Sequence, residues 1–125
     1  MYQQIKYLHL YIIAIGLLSV TLLNAQSAVT LDNLPMTLTS GLTVTVKGDI
    51  QNQNSGTINN AGVINVSGNW TNNAANAVFS TNSGKVQLNG TVAPQTIGGS
   101  YSTSFYDLTL NNSATDSTRY VLGDA

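Results

Sequence analysis

Apolar and polar residues alternate in four short runs that share one layout. Val44-x-Val46-x-Gly48-x-Ile50 is followed by Ile64-x-Val66-x-Gly68-x-Trp70, by Val86-x-Leu88-x-Gly90-x-Val92, and by a looser copy, Leu108-x-Leu110-x-Asn112-x-Ala114. The copies begin 20, 22 and 22 residues apart. A period of two puts alternate side chains on one face of a strand, so the named apolar residues are expected to point inward. Gly or Asn recurs at the third named place. Both residue types adopt positive φ readily, and a bend in the strand is expected there. One bent strand about every 20 residues predicts a chain that coils into stacked turns.

The segments between the runs fit that expectation. Residues 51–56 are polar and read as turn, and Thr57-Ile58 offers a second inward position before Asn59-Asn60-Ala61-Gly62 returns the chain to the next copy. Ala77-Val78-Phe79 plays the same part in the second turn, and Ile97 with a Gly98-Gly99 turn in the third. Phe105-Tyr106 opens the fourth, and Tyr120-Val121-Leu122 starts another strand. Residues 26–41 carry weaker alternation and Pro35, which suits an edge or a turn. They are expected to form an N-terminal cap, because a solenoid must cover its first open edge. The repeats proper then occupy residues 42–125. No terminal cap follows the last copy, so we expect either that the chain continues or that its last turn is covered by a partner.

The predicted architecture is all-β: a right-handed parallel β-helix of about four short turns. An antiparallel β-sandwich also uses short alternating strands. Its strands, however, have no reason to hold Gly48, Gly68, Gly90 and Asn112 at one phase.

The first 25 residues read differently. Lys6 precedes an almost wholly apolar stretch from Leu8 to Leu23, and Leu23-Asn24-Ala25 offers a small residue for cleavage before Gln26. The apolar run is shorter than the ~20 residues a spanning helix needs. A cleavable signal peptide in helical form is therefore expected, with membrane contact only through that export signal. The remaining chain would be secreted or held at the cell surface.

Composition narrows the function classes. Charged residues make up 7% of the chain, against roughly 25% in ordinary soluble domains. Glu and Cys are absent, and the net charge is −1. Without a basic stripe, nucleic acid is not an expected partner. The only histidine, His9, lies in the signal segment. A Ser-His-Asp or Cys-His arrangement therefore has no histidine to use, and histidine or cysteine zinc sites are excluded for the same reason. Asp32, Asp49, Asp107, Asp116 and Asp124 are the carboxylates. Asp49 and Asp107 each adjoin an apolar run, which leaves their proximity as a glycosidase pair open, but isolated Asp near strand ends is far more often a turn residue. Lys47, Lys85 and Arg119 are scattered and read as solvated surface. We expect no catalytic, cofactor or metal residues and no enzyme activity.

Asn52, Asn72 and Asn73 fall at comparable places after the apolar runs and are expected in turns, where amides can ladder between neighbours. Trp70 shares the inward phase of Ile50 and Val92 and is expected in the core. Tyr101, in the loop from Gly98 to Ser104, is the aromatic most expected at the surface. Four Asn-x-Ser/Thr sequons, at Asn65, Asn69, Asn89 and Asn111, follow from composition alone.

The stretches GNWTNN (68–73), SGKVQLNGTVAPQTIGG (83–99) and SFYDLTLNN (104–112) together resemble a known module. It is similar to the Asn/Gly/Thr-rich repeats near the N-termini of large secreted Bacteroidetes surface proteins, many exported by the type IX route. The matching positions are Gly84, Val86, Leu88, Gly90, Gln95, Ile97, Gly98, Phe105, Tyr106, Leu108, Leu110, Asn111 and Asn112. The resemblance covers about residues 40–112 and implies a β-solenoid stalk or adhesin-like module with no catalytic residues to carry over. Such proteins run on for hundreds of residues to a C-terminal sorting domain, and nothing of that kind is present in this sequence. The expected function is a non-enzymatic extracellular structural or adhesion module, the N-terminal fragment of a larger protein. Its partners would be the rest of a longer chain, surface glycans, or a host or neighbouring cell surface. The alternative is a carbohydrate-binding β-helix using Tyr101, Tyr106 or an Asn-rich face.

Overall fold

The computed structural model describes residues 19–21, 28–75, 83–115 and 120–123. In chain order its strands are β1 (Ser19–Thr21), β2 (Val29–Asp32), β3 (Pro35–Leu38), β4 (Thr43–Val46), β5 (Ile50–Asn54) and β6 (Thr57–Asn60). They continue as β7 (Val63–Val66), β8 (Trp70–Ala74), β9 (Lys85–Leu88), β10 (Gln95–Gly98), β11 (Asp107–Leu110) and β12 (Tyr120–Leu122). Every pairing between them is parallel. β1, β4, β7, β9 and β11 stack as one face, β2, β5, β8, β10 and β12 as a second, and β3 with β6 as a third. The chain visits the faces in turn and climbs one strand per circuit. The protein is a β-solenoid of about four turns. Antiparallel hairpins, which a sandwich requires, do not occur among the described strands.

On the first face the four sequence copies are the actual register. Val44 pairs with Ile64, Ile64 with Val86 and Val86 with Leu108, while Val46, Val66, Leu88 and Leu110 form a second column two residues on. Alternation works because each odd residue of the strand faces solvent and each even one meets its equivalent in the next turn. Val44, Val46, Ile64, Val66, Val86 and Leu88 are all buried, and each such side chain contributes about 1.5–3 kcal/mol of burial. Leu110 keeps the inward phase but is 46% exposed, because no described strand stacks beyond β11.

The second face corrects the sequence reading twice. Residues 51–54, read as turn because they are polar, belong to strand β5. Its inward places hold Ile50 and Asn52, and a buried Asn hides the alternation from a hydrophobicity count. Val92, expected beside Ile50 and Trp70, is 72% exposed. The residue in register with Trp70 is Ile97. The cause is the length of the corner: residues 47–49 and 67–69 separate the first-face and second-face strands of two turns, but residues 89–94 do so in the next. The extra residues loop out and carry Val92 with them. One apolar column then runs Val29, Ile50, Trp70, Ile97, Leu122. Trp70 is buried in it, as expected, with Phe105 packed edge-on at 5.2 Å and the Thr103 hydroxyl accepting its indole N–H at 3.1 Å.

The recurring glycines do not take the positive φ expected of them. Positive φ occurs at Gly41, Gly99, Asn33 and Asn54, not at Gly48, Gly68, Gly90 or Asn112. At Gly68 the turn below comes too close for a side chain: a Cβ would lie 2.2 Å from Asp49 Oδ1 and 2.5 Å from the Gly48 carbonyl carbon.

The segment 26–41 supplies β2 and β3, stacked in register on β5 and β6, with Leu31 and Leu38 buried and Pro35 opening β3. Of the first 25 residues, expected as a signal peptide in helical form, only Ser19–Thr21 is described, and it pairs as a strand with β4. The rest, and the strand expected at Ala77-Val78-Phe79, lie outside the described residues. Tyr120–Leu122 is a strand, as its composition suggested. Among the described residues no helix is long and apolar enough to cross a membrane.

Candidate functional site

The polar side chains with the most organised surroundings are inside the solenoid. Asn52, Asn60, Asn72, Gln95 and Asn112 are all buried. Each Asn sits two residues after an apolar inward residue (Ile50, Ile58, Trp70, Leu110), so the period of two turns its amide inward. Three of them repeat one device. The Oδ1 of Asn60, Asn72 and Asn112 accepts the N–H two residues on, from Gly62, Ala74 and Ala114 at 3.0, 3.2 and 2.7 Å. Their amide N–H groups donate to a carbonyl of a neighbouring turn: Lys85 O at 3.1 Å, Ser102 O at 2.9 Å and Val92 O at 2.9 Å. Each amide thereby closes a local turn and ties two turns together. This replaces the expected picture of amides laddering in turns. Asn52 and Asn72 are in register, yet each bonds to backbone. Asn73 lies at an outward, exposed place of β8, its Oδ1 accepting the Ser100 N–H at 2.9 Å.

Asn52 is the exception. Its amide donates to Gly56 O at 3.1 Å, and its Oδ1 is buried with no partner. Gln95 is the most heavily engaged. Its Oε1 accepts from Gly90 N and Asn112 Nδ2, both at 2.9 Å, and its Nε2 donates to Val66 O at 3.2 Å and Gly68 O at 2.7 Å. It fills the inside of the long corner that expels Val92. One signal in the sequence points to it: Gln95 stands two residues before Ile97, in the inward phase.

The candidates for surface chemistry are dispersed. Asp49 accepts the Asn69 N–H at 2.7 Å at the corner between the first and second faces. Asp107 opens β11 and pairs with Lys85 at 3.2 Å, its directly opposed neighbour. Nearly three turns of about 4.8 Å separate the two carboxylates, or about 13 Å along the axis. The pair required for glycoside hydrolysis stands within about 9.5 Å, and the fold does not bring these together. Asp32 accepts the side-chain amides of Asn33 at 2.9 Å and Asn54 at 2.6 Å. Lys47 is exposed. Arg119, Asp116 and Asp124 lie outside the described residues. Among the described residues no three His, Cys, Asp or Glu gather where a metal ion would be held.

Tyr101 is 47% and Tyr106 70% exposed, so both expected surface aromatics are at the surface. They sit on one stretch of chain. The Tyr101 N–H donates to Asn72 O at 3.1 Å, Ser102 O accepts from Asn72, and Thr103 Oγ1 accepts from Trp70. The backbone between the two tyrosines is thus fastened to the turn beneath, although their rings are not. Compared with protein-family models, with curated proteins and with solved structures, the chain matches none.

Proposed function

We propose that this chain is a non-enzymatic structural or adhesion module, exported and displayed outside the cell. The observation that carries the reading is the use made of the polar interior: the buried amides of Asn60, Asn72, Gln95 and Asn112 are spent on the backbone of the protein's own turns. The described carboxylates are dispersed and engaged by neighbours of the same chain. A fold that spends its polar groups on itself supplies length, rigidity and a neutral polar exterior. The apolar N-terminal segment, with its small residue before Gln26, supports export.

The test is surface display. Cells displaying the full chain are expected to adhere to glycan-coated or abiotic surfaces more than cells without it. Asp49→Asn and Asp107→Asn should leave that adhesion unchanged. Hydrolysis of a polysaccharide panel by the purified chain, lost in either variant, would sink the reading. A second reading, a carbohydrate-binding module, is favoured by the exposure of Tyr101 and Tyr106. Retention on a polysaccharide column that disappears on Tyr101→Ala or Tyr106→Ala would establish it.

A further inference from the structure

Asn-Gly occurs once in the sequence, at Asn89-Gly90, where β9 ends and the long corner begins. In this dipeptide the glycine nitrogen can attack the asparagine side chain, because Gly carries no side chain to shield it. The fold holds the reacting groups back. Gly90 is buried, and its N–H donates to Gln95 Oε1 at 2.9 Å. Gln95 is itself held by Val66 O, Gly68 O and Asn112 Nδ2, so its Oε1 stays on Gly90 while the corner is closed. The Asn89 N–H donates to Val66 O at 3.0 Å, and Gly90 O accepts the Ser113 N–H at 2.9 Å. The backbone on both sides of the peptide is thus fastened to the turns below and above. Asn89 Oδ1 is buried as well, with no hydrogen-bond partner among the described residues.

We propose that Asn89 is a site of spontaneous modification guarded by Gln95, exposed only when the corner at residues 89–94 opens. In the open corner the bond from Gly90 N to Asn89 Cγ forms and the Cγ–Nδ2 bond breaks. The side-chain amide leaves as ammonia, taking the proton of Gly90 N. Water then opens the cyclic imide at either carbonyl and leaves aspartate or isoaspartate. Neither product restores the original corner. Aspartate sets a carboxylate where the buried Oδ1 has no partner, and an unpaired buried charge is costly. Isoaspartate lengthens the main chain between the bonds to Val66 and Ser113. A transient local opening is therefore converted into a lasting change in the third turn. The inference goes beyond the scaffold reading and does not depend on it.

The test incubates the full chain in mildly alkaline buffer, folded or in urea. Ammonia loss at Asn89 is read by peptide mass mapping and by isoaspartate methyltransferase labelling. Folded wild type is expected to react many-fold more slowly than the chain in urea. Gln95→Ala, with its fold checked by circular dichroism, should raise the folded rate several-fold. Asn72→Ala, which loses interior hydrogen bonds at another turn and keeps Gln95, should stay near the wild-type rate. Equal rates for folded and unfolded wild type, equal acceleration in the two variants, or no acceleration in Gln95→Ala would overturn the proposal. Should Gln95→Ala not fold, wild type below its urea transition decides. Modification then has to rise in step with amide exchange at Gly90, and a flat rate against climbing exchange overturns the guard.

Discussion

Asn52 and Asn72 occupy equivalent places in successive turns, yet their amides do different work. Asn72 satisfies Ala74 N and Ser102 O, whereas Asn52 satisfies Gly56 O alone and leaves its own Oδ1 bare. A buried group that loses its partner costs about 1–3 kcal/mol. Asn72→Ala orphans two such groups and is expected to cost at least about 2 kcal/mol, while Asn52→Ala orphans one and removes an unpartnered oxygen. Denaturant midpoints should therefore fall further for Asn72→Ala, and the reverse order would show that the bonds at Asn72 add nothing net. Gly68 tests close approach. With backbone atoms 2.5 Å from the site of a Cβ, Gly68→Ala forces the corner apart and is expected to cost about 1–3 kcal/mol as an overpacking change. Gly41, at φ +84 with nothing within 4 Å, should instead accept Asn, which tolerates positive φ.

At the scale of elements, two features hold the third and fourth turns in place. One is Trp70, which fills the second-face column and anchors Phe105 and Thr103 of the long return. Trp70→Ala is expected to cost about 3–5 kcal/mol in a thermal or denaturant melt. The other is Gln95, whose single side chain reaches Val66, Gly68, Gly90 and Asn112. Gln95→Ala should loosen the corner at residues 89–94, read as faster amide exchange at Gly90 with little change at Lys85, a ladder donor at the far end of β9. Uniform acceleration across both sites would mean that Gln95 acts on global stability alone. The sequence revealed β4, β7, β9 and β11 because their inward places are apolar. It concealed β5 because Asn52 stands at an inward place, and it misplaced Val92 because a long corner restarts the count.

Over the whole molecule, cohesion comes from parallel ladders and stacked columns, with few charges taking part. Lys85–Asp107 is the one ion pair among the described residues, and it lies at the surface. Exposed pairs contribute about 0–1 kcal/mol and are screened by salt. Asp107→Asn should therefore cost less than about 1 kcal/mol, and unfolding midpoints should barely move between low salt and 0.5 M sodium chloride. A steep loss of stability with salt would reveal electrostatic cohesion that the described contacts do not contain. Because each turn touches only its neighbours, damage at Trp70 should spread no further than adjacent turns before the whole stack melts.

By itself the sequence determined the period, the first-face register and the burial of Trp70. These follow from local alternation, which stacking neighbours then reinforce in phase. It also showed that the chain has no cysteine and a single histidine, His9, in the apolar N-terminal stretch. Only the tertiary structure decided that each circuit has three faces, and that Asn60, Asn72 and Asn112 are interior clamps. It likewise showed that Gln95 fills the corner Val92 leaves, and that Asp49 and Asp107 stand far apart. The physical reason is that a polar side chain reads as surface until the carbonyls and N–H groups that satisfy it are known. Here those groups lie mostly in another turn, some 20 to 30 residues away in the chain.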